Sequence, residues 1–286
     1  MDDVIEIKGN IGLCTEMSTV KEYIEMIKKR KPGADIVEQI LPDEPGAYII
    51  LAGRTGLKKT MLCMNLAYSI ATGTPFLGLK CRKTSVFYFA LEGNDKNLMD
   101  RLERMSRHFP DTGDLLRFDR LPVRRPSELY ENVLSRLRGH EGPKVVVIDP
   151  VKFIVKGNFL KPEDSQKFIS QLEEDMASLK AMAILIIHIR KPQNRNSLIY
   201  PSDVYEIKGA TEWVDSATTA LILEKRAYQK QRLVLSFAKQ RTATIDFPNF
   251  TLKFDPNTCL IEKEGVEMEE EDGETTVRLP KLHISP

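Results

Sequence analysis

Apolar positions fall into two kinds of run along this chain. Short unbroken runs bounded by turn residues predict buried strands at Ala47–Ala52, Ser85–Leu91, Lys144–Ile148 and Ala183–Ile187. Between them, apolar residues recur at helical spacing. That spacing predicts helices from about Lys59 to Thr72, Lys96 to Arg107, Ser127 to Arg138 and Pro162 to Lys180. Gly73 is the expected stop of the first of these helices. An earlier amphipathic helix is expected over Ser18–Lys31. Thr19 and Glu22 have capping-box spacing there, and Pro32-Gly33 ends it.

The late chain has a different pattern. Thr218–Glu224 and Arg232–Ala238 read as two strands joined by a polar turn. Thr251–Phe254 and Thr258–Ile261 read as a closing pair around Asp255-Pro256-Asn257. Alternating strands and helices followed by hairpins predict an α/β fold: a mainly parallel sheet flanked by helices, with a C-terminal antiparallel extension. The expected organisation is an N-terminal segment over 1–36 with a linker helix, a core over 37–262, and an acidic, glycine-punctuated flexible tail over 263–286.

Composition adds limits. With 286 residues, 42% of them hydrophobic and 29% charged, the chain is an ordinary globular protein of one large domain or two small ones. A net charge of +1 argues against coating nucleic acid through overall charge, but leaves a local basic surface open. The start, MDDVIEIKGN, lacks the apolar core of a signal peptide, and no apolar run reaches the roughly 18–20 residues of a membrane span. Cys14, Cys63, Cys81 and Cys259 show no paired spacing. Reduced thiols in a cytoplasmic protein, with neither disulfides nor zinc, are the expectation.

The first strand runs into Gly53-Arg54-Thr55-Gly56-Leu57-Lys58-Lys59-Thr60 and then a helix. This is the layout of a Walker A loop. Backbone N–H groups of such a turn surround phosphate oxygens, and the helix dipole adds to the attraction. Lys59 is placed to reach the β/γ-phosphates, and the Thr60 hydroxyl to hold Mg²⁺. One position departs from the pattern: Lys58 stands where the second glycine belongs. A side chain there costs about 1–3 kcal/mol of strain if the glycine geometry is kept. The departure leaves weakened nucleotide binding open.

Three more strands end in polar groups. Val145–Asp149 has the Walker B form, with Asp149 oriented toward a Mg²⁺ hydration shell, although acids often end apolar strands without such a role. Glu92 follows Phe87–Leu91 and is placed either to polarise a water or to cap the next helix. His188 follows Ile184–Ile187, as a phosphate sensor or as a structural histidine. Lys239 and Arg241 sit two apart on the late hairpin, on one face of the strand.

In this order the pieces resemble the RecA-like ATPases, and most closely the RepA-type hexameric replicative helicases of plasmids and phages. The resemblance is carried by VEQILPDEPGAYIILAGRTGLKKTMLCMNLAYSIATGTPFLG, VFYFALEGNDKNLMDRL, VVVIDP, IIHIRKP, IKGATEWVDSATTALILEK and LSFAKQR, from about Val37 to Ile261. It implies a RecA-like core that hydrolyses ATP with Mg²⁺. It also implies a homo-oligomeric ring of six with ATP between subunits. Lys59, Thr60, Glu92, Asp149 and His188 would then lie on one side, with Lys239 and Arg241 supplied in trans by a neighbour. Loops after the Walker B and sensor strands would face a pore and single-stranded DNA. Those loops hold Lys152, Lys156, Lys161, Arg190, Lys191, Arg195 and Lys208, together with Phe153, Phe159, Tyr200 and Tyr205, with contact to ATP as the alternative for Arg190 and Lys191. Cations track a phosphate backbone, and aromatic rings stack bases. A nucleotide-poor regulatory or DNA-binding protein on the same fold, motivated by Lys58, and a RadA-type recombinase are the competing readings.

Overall fold

The computed structural model describes residues 19–22, 24–25, 34–121, 125–189, 211–225, 232–241, 247–266, 268–271 and 274–277. The chain divides into two units, Met1–Gly33 and Ala34–Pro286. In the first, residues 20–22 and 24–25 are helical. Thr19 forms the expected capping box: its N–H and hydroxyl both donate to the Glu22 carboxylate (2.8 and 2.7 Å), and the Glu22 N–H donates back to the Thr19 hydroxyl. Val20 and Ile24 are exposed.

The second unit is built from β1 (Tyr48–Gly53), α1 (Lys59–Thr72), β2 (Ser85–Ala90), α2 (Asp95–Ser106), β3 (Leu116–Asp119), α3 (Pro126–Leu137), β4 (Lys144–Asp149), α4 (Pro162–Ser178), β5 (Ala181–His188), α5 (Thr211–Ser216), β6 (Thr219–Lys225), β7 (Leu233–Gln240), β8 (Phe250–Phe254) and β9 (Ile261–Val266). Nine strands form one sheet in the order β3-β2-β4-β5-β1-β6-β7-β8-β9. Pairing is parallel from β3 through β6 and antiparallel from β6 to β9. This is the expected α/β class with its antiparallel extension.

The unbroken apolar runs follow from burial on both faces. In β1, Ile49 and Leu51 pack with α1, while Tyr48, Ile50 and Ala52 pack with α3 and α4. Helix α1 lies inside this arrangement, with twelve of its fourteen residues buried. It ends at Gly73, whose φ of 75° turns the chain and whose N–H returns to the Ser69 carbonyl at 2.8 Å.

Some boundaries move. β3 and α5 are additions to the expected elements. Arg117 and Asp119 interrupt β3, a four-residue edge strand, and α5 has only six residues. Thr258 closes a turn over residues 256–258, and residues 259–260 are irregular rather than strand. Asp255 accepts from the Asn257 N–H and the Thr258 hydroxyl, both at 2.9 Å, and the Cys259 N–H bonds to the Asp255 carbonyl. Buried Asn65 holds the far side, donating to the Cys259 carbonyl and accepting from the Ile261 N–H. The hairpin therefore closes with β9 from Ile261. Residues 263–266, expected to begin a flexible tail, pair with β8, and Met268–Glu271 pairs with Glu274–Val277. Acidic composition hid strands whose backbone pairing tolerates exposed charge. Among the described residues, no helix is long and apolar enough to cross a membrane.

Candidate active site

Parallel strands β1, β2, β4 and β5 all end at the same edge of the sheet. Register pairs Gly53 with His188 and Ala90 with Asp149. The Leu91 N–H bonds to the Asp149 carbonyl at 2.8 Å, and Glu92 follows directly. One edge thus gathers the loop 53–60, Glu92, Asp149 and His188, which lie up to 135 positions apart in sequence (Gly53 to His188). Carboxyl edges of open α/β sheets are where ligand crevices form.

The loop is shaped for close approach. A Cβ on Gly53 would stand 2.6 Å from the Leu223 carbonyl oxygen, so only glycine fits. Gly56 has φ 86°, a conformation that favours glycine. Lys58 adopts φ 69° and ψ 20° as the N-cap of α1, with no side-chain capping bond. The lysine therefore takes up the glycine geometry instead of displacing it. Its ammonium lies 4.8 Å from the Phe254 ring centre, a cation–π contact on β8. The uncapped first turn of α1 leaves backbone N–H groups directed at whatever anion the loop holds.

Lys58→Gly is accordingly expected to remove strain while leaving the loop's shape intact. Relief of the left-handed conformation, less the lost cation–π contact, raises stability by up to about 1 kcal/mol in denaturant unfolding. ATP affinity, measured by titration with a fluorescent analogue, stays within about threefold. A large gain in affinity would show that Lys58 cripples the loop.

Lys59 is buried. Its ammonium donates to the carbonyls of Gly53 (2.7 Å) and Arg54 (3.0 Å) and lies 3.3 Å from His188 Nδ1. Burial pushes it down to about 8, against the pull of Asp149 and Glu92; Lys152 adds repulsion. Asp149 is also buried, and its carboxyl is raised above the ordinary range by burial first. Hydrogen bonds from the Tyr88 hydroxyl (2.8 Å) and the Thr60 hydroxyl oppose that rise. Glu92 is half exposed, with one carboxylate oxygen 3.2 Å from Lys152 Nζ and the other 3.8 Å from His188 Nε2. A cleft of about 200 Å³ opens here between Thr55, Glu92, Lys152, Phe159 and His188.

These groups suit a magnesium–triphosphate. The donors are a buried ammonium, uncapped N–H groups and a Thr60–Asp149 hydroxyl–carboxylate pair, and a glycine leaves room at the wall. Tyr88, which fixes one oxygen of Asp149, was missed in the sequence. The signal was a hydroxyl inside the apolar run of β2, which needs a buried partner.

Lys239 and Arg241 are not brought to this loop. Ala220 aligns with both Lys239 and Ile50, so Lys239 stands three residues, or about 10 Å, back from the level of Gly53. Its ammonium donates to the carbonyls of Val214 (2.6 Å) and Asp215 (2.5 Å), and Arg241 donates to Asp215 as well. Burial, then the neighbouring Arg241, pushes Lys239 down to about 8.

Of the basic loop residues, Lys152, Lys156 and Lys161 are exposed after β4. Arg190, Lys191, Arg195 and Lys208, like Tyr200 and Tyr205, lie outside the described residues. Phe159 packs 5.3 Å from the Trp213 ring, centre to centre, and Phe153 lies under the Lys152 ammonium at 4.6 Å.

A protein-family model described as an AAA domain matches residues 24–194. No match arises among curated protein sequences. Among solved structures, one titled as an ATPase domain is similar with a TM-score of 0.63 at 12% identity, covering 86% of this chain and 99% of that one. A structure titled as a DnaB-like replicative helicase and its interactions with primase is similar with a TM-score of 0.60 at 12% identity, covering 86% of this chain and 67% of that one. At such identities the likeness is one of fold.

Proposed function

The chain belongs to the AAA domain family, and we propose that it is a ring-forming, magnesium-dependent ATPase that moves along single-stranded DNA. The observation that carries this reading is the convergence of Lys59, Thr60, Glu92, Asp149 and His188 at one sheet edge, with Lys239 and Arg241 set back from it. Lys239 and Arg241, set back from their own cradle, would serve the cradle of a second copy, and a cyclic arrangement supplies such a pair at every site.

Each residue has a defined task. Loop N–H groups and the Lys59 ammonium bind the β- and γ-phosphates. Thr60 and Asp149, the latter steadied by Tyr88, would hold the metal, which when bound would neutralise phosphate charge. Glu92 accepts a proton from the attacking water as its oxygen bonds to the γ-phosphorus and the bond to the β-phosphate oxygen breaks. His188, beside both Glu92 and Lys59, registers the phosphate's presence. Lys239 and Arg241 of one subunit stabilise the charge that develops in the next. The basic loop after β4, with Lys152, Lys156 and Lys161, faces the nucleic acid.

The test is ATP turnover by the full chain with and without a thymidine oligonucleotide, alongside native mass. The expected result is an oligomer whose turnover rises several-fold with the oligonucleotide, and a Glu92→Gln variant that binds ATP but loses at least ~100-fold in turnover. Turnover indifferent to DNA would remove the translocation reading, and an active Glu92→Gln would remove the role of Glu92.

A further inference from the structure

Lys152 belongs to two places at once. It is an exposed cation on the short 3₁₀ turn Val151–Phe153 directly after β4, on the loop that also carries Lys156 and Lys161. Its ammonium nevertheless turns back to the nucleotide cleft, 3.2 Å from Glu92 Oε2. The other Glu92 oxygen faces His188, and His188 faces Lys59, so an unbroken line of polar groups runs from the loop to the phosphate cradle.

We propose that Lys152 is a positioning residue that holds Glu92 back until a polyanion on the loop draws the ammonium away. The proposal rests on the reading of Glu92 as the group that accepts the water's proton. An ammonium bonded to one carboxylate oxygen occupies lone pairs needed for that water and fixes the carboxylate toward the loop. The pair is half exposed on both sides, 41% and 44%, and ion pairs in that setting are weak and easily exchanged. A strand carrying a row of phosphates competes for the same ammonium at every turn of the loop. Once Lys152 leaves, Glu92 is free to take the water, and the repulsion Lys152 exerts on Lys59 falls away. Contact with DNA and hydrolysis are thereby linked through one side chain, with no movement of the sheet.

The test compares the full chain with Lys152→Gln and Lys152→Arg, measuring steady-state ATP turnover with and without a thymidine oligonucleotide and oligonucleotide affinity by anisotropy. For Lys152→Gln, turnover without DNA is expected to rise at least about threefold, and the stimulation ratio to fall to about one. Lys152→Arg, which restores a cation to the pair, is expected to retain most of the stimulation. A residue that merely binds DNA behaves differently: Lys152→Gln then keeps its low DNA-free turnover and reaches full stimulation at a higher oligonucleotide concentration. That outcome overturns the proposal and leaves the role of Glu92 standing. A wild-type protein without stimulation overturns the proposal together with the DNA reading. An active Glu92→Gln overturns it together with the role of Glu92.

Discussion

Lys59→Met is expected to abolish ATP turnover, by at least ~10³-fold, and yet to make the protein more stable at neutral pH. The first effect follows from charge. The Lys59 ammonium is the one buried cation at the phosphate loop among the described residues, and its removal costs a charge-assisted hydrogen bond to the triphosphate, of order 1.5–3 kcal/mol in binding alone. The second follows from burial. Lys59 titrates at about 8 in the folded protein, against an ordinary value of 10.5. Between those two values the unfolded chain holds a proton that the folded chain has released, so stability rises with pH across that window. Below about 8 the folded protein carries the full cost of a desolvated charge. Methionine removes that cost but leaves the Gly53 and Arg54 carbonyls without their donor, so the net gain is about 1–2 kcal/mol at pH 7. Denaturant unfolding of both proteins from pH 7 to pH 10 tests the sign: the advantage of Lys59→Met should shrink as pH passes through 8. An advantage that grows with pH, or a variant less stable than wild type at pH 7, would show that Lys59 is a structural cation.

This stored cost was not legible in the sequence, although the residue was. The loop 53–60, the acid after β2, the acid that ends β4 and the histidine that ends β5 can be located from apolar runs alone, because strands buried on both faces announce their own ends. What surrounds those residues depends on neighbours that no periodicity connects. Tyr88 reaches Asp149 from 61 positions away, and Lys152 reaches Glu92 from 60. The same limit applies to the fold. β1, α1 and β4 lie where their patterns put them. β3 is too short and too charged to stand out, and the turn before β9 depends on the distant Asn65. Lys58 shows the converse: the sequence posed the question of strain, and a φ of 69° answers that the lysine accepts it.

Mixing two inactive variants should restore activity if Lys239 and Arg241 serve a neighbour. Arg241→Ala keeps an intact phosphate loop, and Lys59→Met keeps an intact finger; each alone is expected to lose at least ~100-fold in turnover, with ATP binding largely kept only in Arg241→Ala. A mixed ring made from equal amounts contains sites in which the loop of one variant faces the finger of the other. Random placement makes about a quarter of the sites complete, so turnover should recover toward about a quarter of the wild-type value. The competing role is local. Lys239 and Arg241 bond to the carbonyls of Val214 and Asp215 near the end of α5, and cations at a helix C-terminus can be purely structural. A damaged α5 end stays damaged beside any neighbour, so structural loss is not complemented. Two further readouts keep the cases apart: urea unfolding of Arg241→Ala, which should fall by less than about 1 kcal/mol, and ATP titration, which should match wild type. No recovery on mixing, combined with a large loss of stability, would make these two residues braces of α5 rather than fingers.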